Sequence, residues 1–380
     1  MPERVYLDWN ATARLRDQAR AEMAAAFDLA GNPSSIHLEG RAARKLIEDA
    51  RHQVAAALGA EARNVVFTSG GTEANVLALQ PGLRSPGGEP LRRLVVSAIE
   101  HVSVLSGGQF FPRGQIELAP VTSDGVVDLD RLSAMLSGQP PALVSVMLAN
   151  NETGVIQPIG EIADIVHEAG GLLHVDAVQA LGKIPIDVRA FGADLVSVSA
   201  HKLGGPKGVG AVVLAHDLPT FAPLLRGGGQ ERNRRAGTEN VAGIAGFGAA
   251  VAAALPALAN EMNRLTHLRN RLEAGLAVGA DMTIFGANSP RLPNTTLFAV
   301  RGVRAETAVI AFDLEGVAVS SGSACSSGKV TPSHVLKAMQ VRPDLVQGAI
   351  RLSSGYLTSE ADIERCLEAW RKLRGVLGKG

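Results

Sequence analysis

The chain has 380 residues, of which 46% are hydrophobic, so it is long enough for a large domain with a substantial core and a smaller one beside it. Lysine and arginine number 37 and aspartate and glutamate also number 37, a balance that argues against a nucleic-acid binder with a basic face. The two cysteines, Cys325 and Cys366, lie far apart in sequence, which excludes a disulfide framework and a cysteine-based zinc site.

The N-terminal residues 1–10 show neither an apolar run nor a small-residue cleavage pattern, so we expect no secretory signal and a cytoplasmic protein. From residue 15 to residue 255, short β-branched runs alternate with longer helical ones, which is typical of a largely parallel sheet covered by helices on both faces. The predicted strands are 64–68, 94–97, 142–147, 172–176, 194–198 and 210–214, and the predicted helices include 72–79 and 161–170.

Residues 241–259 contain no charged side chain, and a stretch of that length approaches a membrane span. Most of them are alanine and glycine, with Pro256 inside, so transfer into lipid would gain little free energy. We therefore expect a tightly packed internal helix here and no membrane span.

The character of the sequence changes after residue 260. Helical segments rich in arginine and leucine precede the apolar run 294–298, and the chain ends on an amphipathic helix over 359–377. We expect two domains: a large domain over 13–259, and a small domain formed by 1–12 together with 260–380.

Lys202 follows the strand 194–198 and has glycines beside it, an arrangement that suits a lysine forming a Schiff base. Taken alone, such a residue is more often an ordinary surface lysine. Asp176 closes an earlier buried strand, and carboxyl ends of parallel strands gather at the edge where ligands bind. There it could pair with a protonated ring nitrogen, or simply cap a following helix. Gln179 lies one turn further on and could hydrogen-bond a ring hydroxyl.

Three further groups also follow strands. The amides of Gly71 and Thr72, at the start of a helix, make a cradle for an anion. No lysine follows these glycines as a nucleotide-binding loop requires, which favours a phosphorylated cofactor. His101 could stack on a ring and move protons, and Asn151 could donate to a carboxylate or phenolic oxygen. Each alone could be a turn residue, but five functional groups after five strands indicate one site.

Residues 199–208, SAHKLGGPKG, resemble the lysine segment of the fold-type I pyridoxal-phosphate enzymes, and within them the class V branch. Residues 174–179 match the ring-binding strand of that branch. The resemblance implies an α/β fold, with a mostly parallel sheet between helices in the large domain and a smaller α+β domain. It also implies that Lys202 carries pyridoxal 5′-phosphate as a Schiff base and that His101 stacks on the ring.

The same resemblance implies a phosphate site that two subunits share. Its contacts come from Thr72, Ser199 and His201 of one chain and from Thr238 of a neighbouring subunit. Thr238 lies in a segment where the family usually has serine in place of Ala236. A site completed across an interface implies an obligate homodimer.

The two cysteines have different surroundings. Cys366 falls on the apolar side of the final helix, so we expect it to be buried and inert. Cys325 lies among serines and glycines in 320–328, so we expect an exposed, mobile thiol that is a nucleophile once deprotonated. Arg351 is a natural bidentate clamp for an amino-acid carboxylate, and a surface salt bridge would explain it equally well.

Together these residues resemble a cysteine desulfurase of the NifS/IscS-like type, and the similarity runs from residues 7–12 to Arg351. The extended loop after Cys325 is specific to that type. The resemblance implies that Arg351 and Asn151 bind the carboxylate of L-cysteine and that Lys202 removes the Cα proton, assisted by His101. Cys325 then takes the sulfur as a persulfide, and alanine is released.

The resemblance also implies an iron–sulfur scaffold or another sulfur-acceptor protein as partner, in general cluster assembly or in nitrogenase maturation. No metal of its own is implied, although a persulfide on Cys325 could contact a nascent cluster. Trp9, Ala13 and Ala236 depart from the usual pattern and affect the expected local substrate contacts. The alternatives are a selenocysteine lyase, a class V aminotransferase, or a binding protein that retains the cofactor fold.

Overall fold

The computed structural model describes residues 4–111, 115–216, 218, 221–278, 281–321 and 332–377. Its strands are β1 (Val5–Tyr6), β2 (Val65–Thr68), β3 (Arg93–Ser97), β4 (Gln115–Ala119), β5 (Ala142–Met147), β6 (Leu172–Asp176), β7 (Leu195–Ser199), β8 (Gly210–Leu214), β9 (Met282–Ile284), β10 (Thr295–Val300), β11 (Val317–Ala318) and β12 (Ile350–Ser353).

The helices alternate with these strands in the first two thirds of the chain, as the sequence predicts. They are α1 (Asp17–Phe27), α2 (Leu38–Ala57), α3 (Gly71–Ala78), α4 (Val102–Leu105), α5 (Leu129–Leu136), α6 (Ile159–Glu168), α7 (Val241–Ala254), α8 (Leu258–Ala277), α9 (Ala305–Leu314), α10 (His334–Ala338), α11 (Pro343–Val346) and α12 (Glu360–Leu377).

A seven-stranded sheet, in the order β2-β8-β7-β6-β5-β3-β4, forms the centre of the molecule. Neighbouring strands are parallel from β7 to β4, which confirms the predicted α/β fold with a mostly parallel sheet. β8 departs from this pattern and runs antiparallel to both β7 and β2. Only residues 200–209 connect β7 to β8, and they are too few for the crossover helix that a parallel pair needs.

The sheet is buried on both faces, which explains why its strands are continuous apolar runs. Alternate side chains enter two separate cores. Val175 and Val196 pack with α2, α6 and α7 on one face, whereas Leu172 and Leu195 pack with α3 on the other. Because side chains alternate along a strand, Asp176 at the end of β6 lies on the α3 face with Leu172.

Helix α7 packs against α1 and α2, and ten of its residues are buried. The continuous helical stretch Val241–Ala277 is long and apolar enough to pass a length-and-composition test for a membrane span. Its most apolar window is 56% buried inside the protein, as the core helix of a folded domain would be. The predicted internal helix is therefore present over α7.

The last third of the chain surrounds a further core. The strands β9, β10 and β12 form an antiparallel sheet, and β1 at the N-terminus pairs with β11 in parallel. Leu7 of the N-terminal arm and Trp370 of α12 belong to the same apolar cluster. The arm thus joins the C-terminal elements before the chain enters the large sheet.

Candidate active site

The carboxyl ends of β2, β3, β5, β6 and β7 meet at one edge of the sheet beside a cavity of about 760 Å³. This is the place where the sequence analysis expects the functional groups to gather. The proposed residues that line the cavity are Gly71, Thr72, His101, Asn151, Asp176, Gln179, Ser199, His201, Lys202 and Arg351. The fold therefore brings most of the proposed site together in one place.

Asp176 is buried at the end of β6, and both of its oxygens have partners. Oδ1 accepts a 2.9 Å hydrogen bond from the Val178 N–H, so the residue does cap the following turn. Oδ2 accepts a 2.8 Å hydrogen bond from Asn75 Nδ2 on α3. Burial raises the pKa of the Asp176 carboxyl, and these hydrogen bonds oppose the rise. A cation in the cavity would stabilise the charged carboxylate.

Lys202 lies in a short 3₁₀ helix after β7, and it is half-buried. Its Nζ donates hydrogen bonds to the carbonyl oxygens of Asn10 at 2.7 Å and Ala11 at 2.9 Å. Burial, and next the positive charge of Arg351, lower the pKa of Lys202 to about 8. An amine with this pKa is partly uncharged near neutral pH and can act as a nucleophile or base. It is not the ordinary surface lysine that the alternative interpretation supposes.

The start of α3 forms an open cradle. A Cβ on Gly71 would lie 2.9 Å from Val178 Cγ2, so the close packing here requires glycine. Gly70, which precedes the helix, has a φ of 153° and provides no capping side chain. The first amides of α3 are therefore available to an anion. An adjoining smaller cavity reaches them and is also lined by Ser199 and His201.

His101 follows β3 and caps α4, because its Nδ1 accepts a 3.2 Å hydrogen bond from the Ser103 N–H. Glu100 beside it is buried and holds this turn against β5, since its Oε1 accepts a 2.6 Å hydrogen bond from the Met147 N–H. Burial lowers the pKa of His101, and burial and nearby lysines lower that of His201 to about 4. Both imidazoles are thus neutral at pH 7.

Arg351 is buried on β12 and is not the surface salt bridge that sequence leaves open. One guanidinium nitrogen donates to Asp8 Oδ1 at 2.7 Å and another to the Asn151 carbonyl oxygen at 2.9 Å. Its Nε has no hydrogen-bond partner among the described residues. A guanidinium that lines the cavity is suited to an incoming carboxylate.

Comparison with known proteins identifies the family of this chain. The family model described as Aminotransferase class-V matches residues 5–366. The chain belongs to the aminotransferase class-V family. A cysteine desulfurase from Cereibacter sphaeroides is 45% identical to this class-V chain over 373 residues, and the match covers 96% of the chain and 94% of the relative.

Other similar proteins are also described as cysteine desulfurases or NifS-like proteins. The cysteine desulfurase IscS of Dictyoglomus turgidum is 41% identical, with 98% of this chain and 95% of the relative covered. The X-ray structure of a NifS-like protein from Rickettsia africae has a TM-score of 0.89 at 35% identity, with 98% and 100% of the two chains covered. These relatives confirm the resemblance to cysteine desulfurases and the fold-type I architecture.

Class-V proteins use pyridoxal 5′-phosphate, and this chain is a pyridoxal-phosphate-dependent enzyme. The cavity contains chemistry that fits each part of that cofactor. The Asp176 carboxylate suits a protonated ring nitrogen, and the Lys202 amine suits the aldehyde carbon. The uncapped amides at the start of α3, at Gly71 and Thr72, suit the phosphate.

Thr238 is exposed and does not line the cavity of this class-V chain. Cys325 lies outside the described residues. Cys366 is buried in the core around α12, and burial raises its pKa to about 12. That confirms the expectation of an inert cysteine.

Four residues of the site are missing from the sequence analysis: Asp8, Asn10, Asn75 and Lys183. Asp8 and Asn10 fall in the segment 7–12, which the resemblance covers without assigning roles. Asn10 is buried and bridges the N-terminal arm to the cavity. Asn75 follows Gly71 by about one helical turn, so its proximity could have been inferred from α3. Lys183 carried no signal, because most lysines are exposed.

Proposed function

We propose that this chain is a cysteine desulfurase, which takes sulfur from L-cysteine, leaves a persulfide on Cys325 and releases L-alanine. One observation carries the proposal: a single cavity is lined by Lys202, Asp176 and Arg351 in a chain whose full-length relatives are cysteine desulfurases. The cofactor supplies an electron sink for the carbanion chemistry of the substrate.

The proposed cofactor site has distinct parts. Lys202 holds the cofactor covalently, Asp176 pairs with its ring nitrogen, and Gln179 hydrogen-bonds its ring hydroxyl. His101 stacks on the ring. The phosphate contacts are Gly71, Thr72, Ser199 and His201, with Thr238 of a neighbouring subunit. Asn151 is a further cofactor-binding residue. The uncapped start of α3 and the burial of Asp176 support these assignments.

The remaining steps belong to the chain's own residues. Arg351 and Asn151 bind the substrate carboxylate. Lys202 Nζ, once free, takes the Cα proton, and its pKa of about 8 suits proton transfer near neutral pH. His101 is neutral and can accept or return a proton beside it.

Sulfur transfer is assigned to Cys325. Its thiolate attacks the substrate sulfur, so that an S–S bond forms as the substrate C–S bond breaks, and the bonding electrons remain on the substrate carbon, which is then protonated to alanine. The sequence around Cys325 lacks apolar side chains to bury it, which supports a thiol that can meet both substrate and acceptor.

The organisation that goes with this function is also proposed. A large domain over 13–259 binds the cofactor, and a small domain of 1–12 with 260–380 carries Cys325; the separate apolar cluster around α12 supports this division. The enzyme is a cytoplasmic homodimer. It passes sulfur to an iron–sulfur scaffold or another acceptor protein, for general cluster assembly or for nitrogen fixation.

The decisive experiment compares Cys325→Ala with Cys366→Ala in the purified enzyme loaded with pyridoxal 5′-phosphate. Cys325→Ala should still bind L-cysteine, seen as a change in visible absorption, but release no sulfide with a reductant. Cys366→Ala removes the other cysteine, which is buried and remote, and should keep sulfide release.

Undiminished sulfide release by Cys325→Ala would refute the assignment. A keto acid formed from an amino acid, with no alanine from cysteine, would instead identify an aminotransferase. Turnover of selenocysteine without that of cysteine would identify a selenocysteine lyase.

A further inference from the structure

Lys183 is a buried lysine that the proposed mechanism does not use. It follows β6 in the turn beyond Asp176 and is only 7% exposed. Its Nζ donates to Gln179 Oε1 at 2.6 Å and to Asn10 Oδ1 at 2.9 Å. Both acceptors are side-chain amides, and no described carboxylate forms a salt bridge with it. A buried lysine without a counter-ion is unusual and calls for a physical explanation.

Lys183 Nζ donates to both amide oxygens, a role that an ammonium group and a neutral amine can both fill. Burial comes first among the causes that lower the pKa of Lys183 well below its usual value, followed by the positive charges of Lys202 and Arg351.

The amine determines how two amides are oriented. Because Lys183 donates to the oxygens of Gln179 and Asn10, their NH₂ groups must point elsewhere. Gln179 Nε2 donates to the Asn10 carbonyl oxygen at 2.9 Å, and Asn10 Nδ2 donates to Thr295 Oγ1 at 2.9 Å. The same Asn10 carbonyl oxygen accepts the 2.7 Å hydrogen bond from Lys202 Nζ. Lys183 is thus linked to Lys202 through Asn10, both directly and by way of Gln179.

We propose that Lys183 is a positioning residue: by donating to the Gln179 side-chain oxygen, it keeps the NH₂ end of that amide as the end offered to the cofactor's ring oxygen. This inference rests on the proposed function, since it gives Gln179 the hydroxyl contact assigned there. Gln179 lines the cavity, and its Nε2 carries a second N–H beyond the one bound to Asn10. Without Lys183 the amide could turn and present its oxygen, which would repel an anionic ring oxygen.

The test is a titration of the visible absorption band of the loaded enzyme, in the absence of substrate. A hydrogen-bond donor to the ring oxygen stabilises the negative charge on that oxygen. It thereby weakens the attraction between the oxygen and the proton on the neighbouring nitrogen, which Lys202 contributes. Loss of the donor therefore raises the pH at the midpoint of the titration. Lys183→Met, which keeps the length of the side chain but cannot donate, should raise the midpoint by about one pH unit. Gln179→Leu should raise it by a similar amount.

The double variant distinguishes positioning from a separate effect. If Lys183 acts through Gln179, then Lys183→Met combined with Gln179→Leu should shift the midpoint no further than Gln179→Leu alone. Lys45→Met is the matched control, because Lys45 is an exposed lysine on α2 that does not line the cavity. The midpoint of this variant should equal that of the wild type. Thermal unfolding of the cofactor-free variants reports their stability separately.

A Lys183→Met variant with the wild-type midpoint, altered only in thermal stability, would overturn the proposal and leave a purely structural lysine. Additive shifts in the double variant would overturn it as well. If Lys183→Met does not fold, Lys183→Gln retains an N–H donor and should have a midpoint closer to wild type than Gln179→Leu; equality with Gln179→Leu counts against the proposal. Failure of the wild type to bind pyridoxal 5′-phosphate at all would instead refute the proposed function.

Discussion

Glu152 shows how strongly burial controls single side chains around this site. It is 2% exposed, and its Oε2 accepts a 2.6 Å hydrogen bond from Ser333 Oγ. The same Ser333 oxygen caps α10 by accepting from the Leu336 N–H at 3.1 Å. Burial raises the pKa of Glu152 to about 7, with smaller opposing contributions from Ser333 and Arg351. The carboxyl therefore links the turn after β5 to α10 mainly in its protonated form below pH 7.

Glu152 makes the stability of the protein depend on pH. Its folded pKa of about 7 exceeds the ordinary value of 4.5, so its contribution is complete below pH 4.5 and is lost as the pH rises to 7. Glu152→Gln cannot ionise and keeps an acceptor for Ser333. Relative to wild type, the free energy of unfolding of Glu152→Gln should rise by up to about 3 kcal/mol between pH 5 and pH 8, measured by thermal unfolding of the cofactor-free protein. A pH-independent difference between the two proteins would contradict this pKa.

At the scale of elements, the N-terminal arm is attached by an aromatic cluster. Trp9 is buried. Its ring lies edge-on to that of Tyr356, with centroids 5.2 Å apart, and its Nε1 donates to the Tyr6 carbonyl oxygen at 2.9 Å. The Arg16 guanidinium lies over the Tyr356 ring, 4.1 Å from its centroid. The arm that supplies Asp8 and Asn10 is thereby fixed to the segment after β12.

Gly355 packs so closely against Trp9 that a side chain has no room there. A Cβ there would lie 2.1 Å from Trp9 Cδ2, so Gly355→Ala must displace the ring. We expect a loss of about 1–3 kcal/mol in the free energy of unfolding, measured by denaturant titration.

Two comparisons make the Gly355 result specific. Gly160→Ala on α6 has open space around its Cβ and should raise stability by about 0.5–1 kcal/mol. In a Trp9→Ala background, Gly355→Ala should cost almost nothing, because the ring it would strike is gone. An unchanged cost in that background would show that the strain lies elsewhere.

The segment before Thr238 is held in an unfavourable backbone conformation. Glu231, Arg232 and Asn233 have φ values of 46°, 56° and 63°, which side chains with a Cβ seldom adopt. The buried Glu231 carboxylate compensates, since it binds Arg51 of α2 at 2.7 Å and the Phe67 N–H at 2.9 Å. These contacts fix the loop that presents Thr238 on the surface.

At the scale of the whole molecule, exposed Thr238 and the cavity of its own chain are separate, which supports a site shared between subunits. In a shared site, Lys202→Ala removes the lysine that one chain supplies, whereas Thr238→Asp removes the phosphate contact that the other chain supplies. Coexpressed mixed dimers should then contain one intact site per heterodimer, and desulfurase activity should return to roughly a quarter of wild type for random pairing.

A second pair of coexpressed variants tests whether activity returns because the subunits share a site or because pairing stabilises the damaged chains. Lys202→Ala with Asp176→Ala places both defects in residues that one chain supplies to its own cavity, so no intact site forms and activity should stay absent. If the Lys202→Ala and Thr238→Asp heterodimer, isolated by two tags, were equally inactive, Thr238 would not complete the neighbouring site.

Sequence alone predicted six of the seven strands of the central sheet and the groups at their ends, but it missed β4. Strands such as β5, β6 and β8 have the predicted bounds, because a strand buried on both faces is a short apolar run between polar turns. Lys202 and Asp176 could be placed at one edge for a related reason: parallel strands end together, so chain position predicts proximity.

Only the tertiary structure shows which residues form hydrogen bonds and ion pairs with those groups. Asn10 meets Lys202 and Lys183, and Arg351 meets Asp8, across separations of more than a hundred residues in sequence. Burial is a property of the folded state, so the lowered pKa of Lys183 and the raised pKa of Glu152 have no local sequence pattern. The sequence by itself determined which chemical groups reach the site, whereas burial in the folded chain shifted their pKa values and the N-terminal arm supplied the hydrogen-bond partners that orient them.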